Sequence, residues 1–416
     1  MSATLDVTPL RAQFPSLQRQ VADQQAIFLD GPGGTQTPLS VVAAMSDYLL
    51  TDNTNLGGAF VTSQNTGQIV AEARQAMAAL FNAAMPEEIV FGQNMTSLTF
   101  AMSRAISKTW QPGDEIVVTR LDHDANITPW LLAAADRGVV VRWLDFDPTD
   151  CTLRYDELPE LVNERTRLVA VTHASNAVGT IVDVARVAAV AREVGAWVYV
   201  DAVHYTPHAP VDVQAIDCDF LVASAYKFFG PHTGVLYGRY ELLDILEAYK
   251  VRPAPADPPG KWETGTQSFE SLAGVGAAVD YLAHIAGPEQ EAHRRQRLEK
   301  AMARVRAHEQ QLSRRFLEQA PTVPGLKVYG ISDVERLDRR APTFAVSLPG
   351  KTPRQVAEAL GAQGIFVWDG HYYAVAVMER LGRLEQGGLV RIGFVHYNTL
   401  EEVDRLMAAL RQLVQS

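Results

Sequence analysis

The chain has 416 residues, 47% of them apolar and 20% charged, with a formal charge of −11. That balance sets aside nucleic acid and anionic membrane as the main partner, and the length can bury a substantial core in two or three domains. Two cysteines, Cys151 and Cys218, are too few for a disulfide framework or a zinc cluster.

No apolar run is long enough to span a membrane, and the opening "MSATLDVTPLRAQFPSL" lacks the charged-then-apolar order of a secretory signal. A cytoplasmic protein is expected. From about residue 65 to 240 the runs "EEIVFG", "DEIVVT", "VVVRWLDF", "TRLVAVTH", "AWVYVDA" and "DFLVASA" alternate with Ala-rich amphipathic stretches. This pattern predicts an α/β domain whose sheet is largely parallel and covered on both faces. A single crossover helix is expected from near Asp183, and function should collect at the carboxyl ends of the strands. Residues 252–262, "RPAPADPPGKW", read as an exposed Pro-rich connection. A long helix is expected after Pro288, with Leu298, Met302, Val305, Leu312 and Phe316 on its buried stripe and its arginines on a solvated face. "GLKVYG", "TFAVSLPG", "GIFVWDG" and "LVRIGFVHY", with helices from near Pro353 and Leu400, predict a smaller α+β domain. The expected division is 1–30 as a segment packed on the small domain, 31–285 as the large domain and 286–416 as the small one.

Four places carry chemistry. In "GQNMTSLTF" a Gly/Asn-rich turn opens a helix, so free amides around Met95, Thr96 and Ser97, with the Thr96 hydroxyl, suit a phosphate, although the same letters make an ordinary N-cap. His123 follows the strand "DEIVVT"; an imidazole there suits stacking over an aromatic ring and moving a proton. Asp201 ends an apolar strand, where a carboxylate is costly unless a cation meets it. Lys227 ends the next strand among Phe228, Phe229 and Gly230-Pro231. A strand-end lysine ordinarily sends its ammonium to water, but aromatic neighbours can desolvate the amine and make its neutral form accessible.

Together these residues resemble the fold-type I pyridoxal-phosphate enzymes, specifically the class-V aminotransferase and cysteine desulfurase family. The likeness runs from "FLDGPGGTQTP" through "HASNAVGT", "YVDAVH", "SAYK" and "ETGTQ" to "RIGFVHYNT". It implies a large domain with a mainly parallel mixed sheet, a smaller α+β domain at the carboxyl end, pyridoxal 5′-phosphate as cofactor and a small amino acid as substrate. By that resemblance Lys227, His123 and Asp201 are catalytic, as covalent anchor, ring-face partner and partner of the ring nitrogen. Met95, Thr96, Asn176, His204, Ser224 and Tyr226 would complete the cofactor site. Thr266 would reach the phosphate of a second subunit in a homodimer, and Arg391 would bind the substrate α-carboxylate with its bidentate fork. Asn176, Trp368, His371 and Tyr373 would join Arg391 on the substrate side, with Asp369 and Tyr372 beside them.

The departures lie mainly on that side. Cysteine desulfurases carry a nucleophilic cysteine in a stretch resembling R-x-G-H-H-C-A; here "WDGHYYA" puts Trp368 in place of the arginine and Tyr373 in place of the cysteine. Tyr226 replaces a histidine and His204 a glutamine. A phenol cannot take up sulfur as a persulfide. The expectation is therefore a desulfurase-like enzyme favouring lyase chemistry, cleaving a C–S or other Cβ bond. The alternatives are class-V aminotransfer and a non-catalytic scaffold.

Overall fold

The computed structural model describes residues 5–287 and 293–415. Seven strands, β1 (Ile89–Gly92), β2 (Glu115–Thr119), β3 (Val140–Leu144), β4 (Thr166–Thr172), β5 (Trp197–Asp201), β6 (Phe220–Ser224) and β7 (Gly234–Gly238), form one sheet. Their order is β1-β7-β6-β5-β4-β2-β3. Strands β2 to β6 are parallel, and β7 runs antiparallel to both its neighbours. Successive side chains point to opposite faces, so the apolar runs feed two cores at once. Leu168 and Ala170 join Trp130 and Phe220 on one side, whereas Val169 and Val171 join Phe81 and Val200 on the other.

Helices α1 (Leu39–Thr51), α2 (Val61–Phe81), α3 (Met95–Ile106), α4 (Thr128–Arg137), α5 (Val184–Glu193) and α6 (Phe269–His284) accompany this sheet. The crossover helix α5 starts where expected, with the Asp183 carboxylate accepting the Arg186 amide at 3.1 Å. Helix α6 packs on α1 and α2. The Pro-rich connection is exposed only in part: Pro258, Lys261 and Trp262 are buried, and Lys261 and Trp262 donate to the carbonyls of Asp244 and Leu243.

Helix α7 (Arg294–Gln319) buries the five residues expected of it. Pro288, from which that helix was read, lies outside the described residues. Its arginine face is less solvated than expected. Arg295 is half-buried and donates to the carbonyls of Ala79, Leu80 and Val211, and Arg304 to those of Ile285 and Ala286, capping free carbonyls of other segments. Strands β8 (Lys327–Tyr329), β9 (Thr343–Ser347), β10 (Trp368–Gly370) and β11 (Leu389–Gly393) form an antiparallel sheet ordered β8-β9-β11-β10. Helices α8 (Pro353–Gly361) and α9 (Leu400–Gln415) lie against it, with Phe316, Phe344, Phe394 and Leu406 in the shared core. Near the amino end, Ile27–Phe28 pairs in parallel with Ile365–Phe366, and Arg11 binds the Tyr397 carbonyl and Glu402. No helix among the described residues is long and apolar enough to cross a membrane.

Candidate active site

The parallel strands bring chemistry to one edge. Thr172 at the end of β4 pairs with Asp201 at the end of β5, and Asp201 pairs with Val222 in β6. The segments that follow β2, β4, β5 and β6 therefore open side by side, carrying His123, Asn176, His204 and Lys227. Facing them are β10, β11 and the turn after β10. The cleft between has a volume of about 910 Å³ and is lined by residues of both sheets, including Thr96, Lys227, Trp368 and Arg391.

Lys227 closes a single turn of 3-10 helix, Ala225–Lys227, and its amine donates to the carbonyl of Pro32. Burial and then repulsion from Arg391 lower its pKa to about 7, so the neutral amine is accessible near neutrality. Asp201 accepts the Val203 amide at 2.9 Å, and burial raises its pKa to about 6. His123 accepts the Ala125 amide on Nδ1 at 3.0 Å, which leaves the proton of the neutral ring on Nε2. Burial, then Lys227 and Arg391, depress its pKa to about 4. The ring is thus a hydrogen-bond donor toward the cleft.

At the start of α3, Asn94 caps the Ser97 amide at 2.9 Å, and Met95 and Thr96 line the cleft. Ser224 stands behind them: it is fully buried, lies outside the lining and accepts the Met95 amide at 3.1 Å. It orients the helix end without facing the cleft. His204 lines the cleft, its Nε2 3.0 Å from the Thr343 hydroxyl, and burial holds its ring neutral. Tyr226 lines it too, stacked on His232 at 5.0 Å. Thr266 lies on an exposed segment away from the cleft of its own chain.

On the opposite wall Arg391 is buried over the Tyr372 ring, donates one hydrogen bond to the Asn176 carbonyl at 3.2 Å, and leaves Nε unpartnered. The Asn176 amide donates to the Tyr372 carbonyl at 2.9 Å, and its Oδ1 is buried without a partner. Of the two tyrosines, Tyr372 is the anchor: it is buried, with its hydroxyl on the Leu389 carbonyl. Tyr373 is 67% exposed and lies parallel to His123 with ring centroids 5.5 Å apart. His371 braces that turn by accepting the Tyr373 amide, and Trp368 sits over Gly33, where an added Cβ would meet its indole nitrogen at 2.4 Å. Asp369 pairs with Arg354 at 3.1 Å.

Two acids escaped the sequence reading. Asp30 has a buried, unpartnered carboxylate oxygen, feels both Arg391 and Lys227, and burial raises its pKa to about 6. Its only signal was a carboxylate ending the short apolar run "IFLD". Asp122 is fully buried, held by Thr119 and Asn126. Cys151 and Cys218 are both buried outside the cleft, and burial raises both thiols, that of Cys151 to about 12.

The residues fit pyridoxal phosphate. A near-neutral buried amine, an acid on the adjacent strand, a helix amino end, and unpartnered Asn176 Oδ1 and Arg391 Nε share one cleft large enough for an aromatic phosphate and an amino acid.

The aminotransferase class-V family model matches residues 27–406. A cysteine desulfurase of Dickeya dadantii is 33% identical over 419 residues, covering 97% of this chain and 96% of that one. The aminotransferase-like protein FGM3 of Gibberella zeae is 32% identical over 99% and 100% of the two chains. Among solved structures, an apo cysteine desulfurase from Thermococcus onnurineus matches over all of both chains with a TM-score of 0.88 and 28% identity. The Escherichia coli cysteine desulfurase CsdA matches over 99% of both, with a TM-score of 0.85 and 27% identity.

Proposed function

Because the chain belongs to the class-V aminotransferase family, whose members depend on pyridoxal 5′-phosphate, we propose that it is a cysteine-desulfurase-like enzyme. It breaks the bond between Cβ and sulfur in a small α-amino acid. The observation that carries this reading is the placement of Lys227, in the turn just past one strand end, beside Asp201 at the end of the adjacent strand, with the unpartnered Nε of Arg391 across the cleft.

Lys227, Asp201, His123, the amides of Met95 and Thr96, Asn176, His204 and Tyr226 hold the cofactor. Ser224 acts through the Met95 amide. When bound, the cofactor supplies an aldehyde that joins amines and a cationic ring that draws electrons from the substrate's Cα. Arg391 grips the α-carboxylate in a buried pocket where water competes weakly. Lys227 removes the Cα proton. His123 is poorly suited to that work, since its Nδ1 lone pair is taken by a backbone amide; it steadies the ring face and donates from Nε2. The Phe228 and Phe229 side chains, both fully buried, exclude water around the lysine. In the homodimer Thr266 completes the phosphate site of the other subunit.

The relatives' names favour cysteine as the small amino acid whose Cβ–S bond is broken. With both thiols buried outside the cleft, the sulfur leaves to solvent or to an external acceptor. Two rival outcomes have their own support: transfer of sulfur as a persulfide, from those names, and aminotransfer, from the Gibberella relative. A scaffold has no physical need for a buried lysine and arginine facing one cleft. Incubation with cofactor and cysteine, with and without a reducing thiol, separates the outcomes. Sulfide with stoichiometric pyruvate and ammonia is expected. Thiol-dependent alanine supports the persulfide route, keto-acid-dependent amino exchange supports aminotransfer, and absence of any spectral change with amino acids supports the scaffold.

A further inference from the structure

The turn Gly370–Ala374 is held across the cleft from several directions. Asp124 donates its amide to the Tyr373 carbonyl at 2.7 Å, Asn176 donates to the Tyr372 carbonyl at 2.9 Å, and the Tyr372 hydroxyl binds the Leu389 carbonyl. Within it Tyr372 and Tyr373 adopt φ of +54° and +56°. Left-handed backbone at two consecutive aromatic residues is costly, and such strain persists where surrounding contacts over-determine it. Its effect here is to bury one phenol as an anchor and to project the other into the cleft, parallel to His123 and open to water.

We propose that Tyr373 is a catalytic acid that gives its hydroxyl proton to the departing Cβ substituent. This rests on the Cβ-cleavage reading above. As the Cβ–S bond breaks heterolytically, the electron pair stays on sulfur and the Tyr373 proton goes to that sulfur. Solvent, which reaches the exposed ring, then reprotonates the phenolate. The Cα proton goes to Lys227, and the unsaturated amine left behind takes up water to give pyruvate and ammonia. No oxidant or reductant enters the balance. Neither His123, whose free proton sits on a neutral ring, nor Arg391, committed to the carboxylate, supplies an equivalent donor.

The test grades the leaving group. Chloride needs no proton, hydrosulfide gains modestly from one, and methanethiolate gains most. In the holoenzyme, Tyr373→Phe should keep β-chloroalanine turnover within about twofold of wild type while lowering kcat on S-methylcysteine by about 100-fold, with cysteine between. An equal loss on all three, or no loss on any, overturns the role. Failure of the wild-type enzyme on β-chloroalanine overturns the underlying reading instead, and the role with it. A second readout needs no turnover. In cofactor-free protein the Tyr373 ring current should shift the His123 ring protons, Tyr373→Phe should preserve that shift, and Tyr373→Ala should abolish it. A His123 resonance unmoved in the alanine variant removes the geometry on which the role depends.

Discussion

Lys227 and Asp201 carry opposite charges, yet each is displaced toward its neutral form, because burial weighs more on either group than their mutual attraction. Replacing Lys227 by Ala removes the amine without opening a large core cavity. We expect turnover to vanish while the melting temperature stays within a few degrees of wild type, with retained activity excluding the assigned role. Arg391→Ala should raise KM for α-carboxylate substrates by roughly 100-fold with a smaller change in kcat, the size of a lost buried charge-assisted contact. Asp122 offers a test through stability alone. Burial, with the charge of Asp201 adding, raises its pKa to about 8, whereas in the unfolded chain it releases its proton near pH 4. Between those values the native state binds more protons than the unfolded state, so the native advantage is full below about pH 4 and is lost as pH rises toward 8. Asp122→Asn has no such proton to lose. From pH 5 to 8 the cofactor-free variant should lose less stability than wild type, by on the order of 4 kcal/mol in denaturant titrations; parallel pH profiles would contradict the assignment.

At the level of elements, the turn that carries Tyr373 depends on contacts from the other wall of the cleft. Asn176→Ala removes the hydrogen bond to the Tyr372 carbonyl, a contact worth about 1 kcal/mol. Hydrogen exchange at the Asp124 amide, which donates to the neighbouring Tyr373 carbonyl, should then quicken by roughly fivefold relative to wild type. An unchanged rate would mean that the turn holds itself. The same elements separate what sequence could carry from what it could not. Strands β2, β4, β5 and β6 were legible because both faces are buried and their apolar runs are continuous, and their carboxyl ends pointed to His123, Asp201 and Lys227. The Tyr372 and Tyr373 pair was not, because two identical letters become anchor and cleft residue only through backbone φ. Ser224 was drawn toward the cofactor by its place in "SAYK"; that its oxygen also accepts the Met95 amide, leaving its own proton free to donate, is a contact the letters do not show. The arginines of α7 looked solvated from helical periodicity alone; the carbonyls that Arg295 meets come from residues 79, 80 and 211.

For the molecule as a whole, the surface of α1 and the segment after it carries apolar side chains that no described element covers. Leu39, Val42, Leu49, Leu50, Phe60 and Val61 are exposed, Leu50 to 82%. Exposed apolar side chains grouped along one helix and its continuation suit an interface, and a second copy fits the homodimer proposed above. If Thr266 serves the partner's phosphate site, each complete site combines Lys227 of one chain with Thr266 of the other. Lys227→Ala and Thr266→Ala chains should then be inactive or strongly impaired by themselves. Mixed, dissociated and reassociated, half of the dimers pair one chain of each kind. Within such a dimer one site has lost both residues and the other has kept both. Activity should return to about a quarter of wild type, as isologous pairing requires. Leu50→Glu should block this recovery by weakening the dimer, visible as a shift to monomer in sedimentation. No recovery between chains that still dimerise would place Thr266 outside the partner's site.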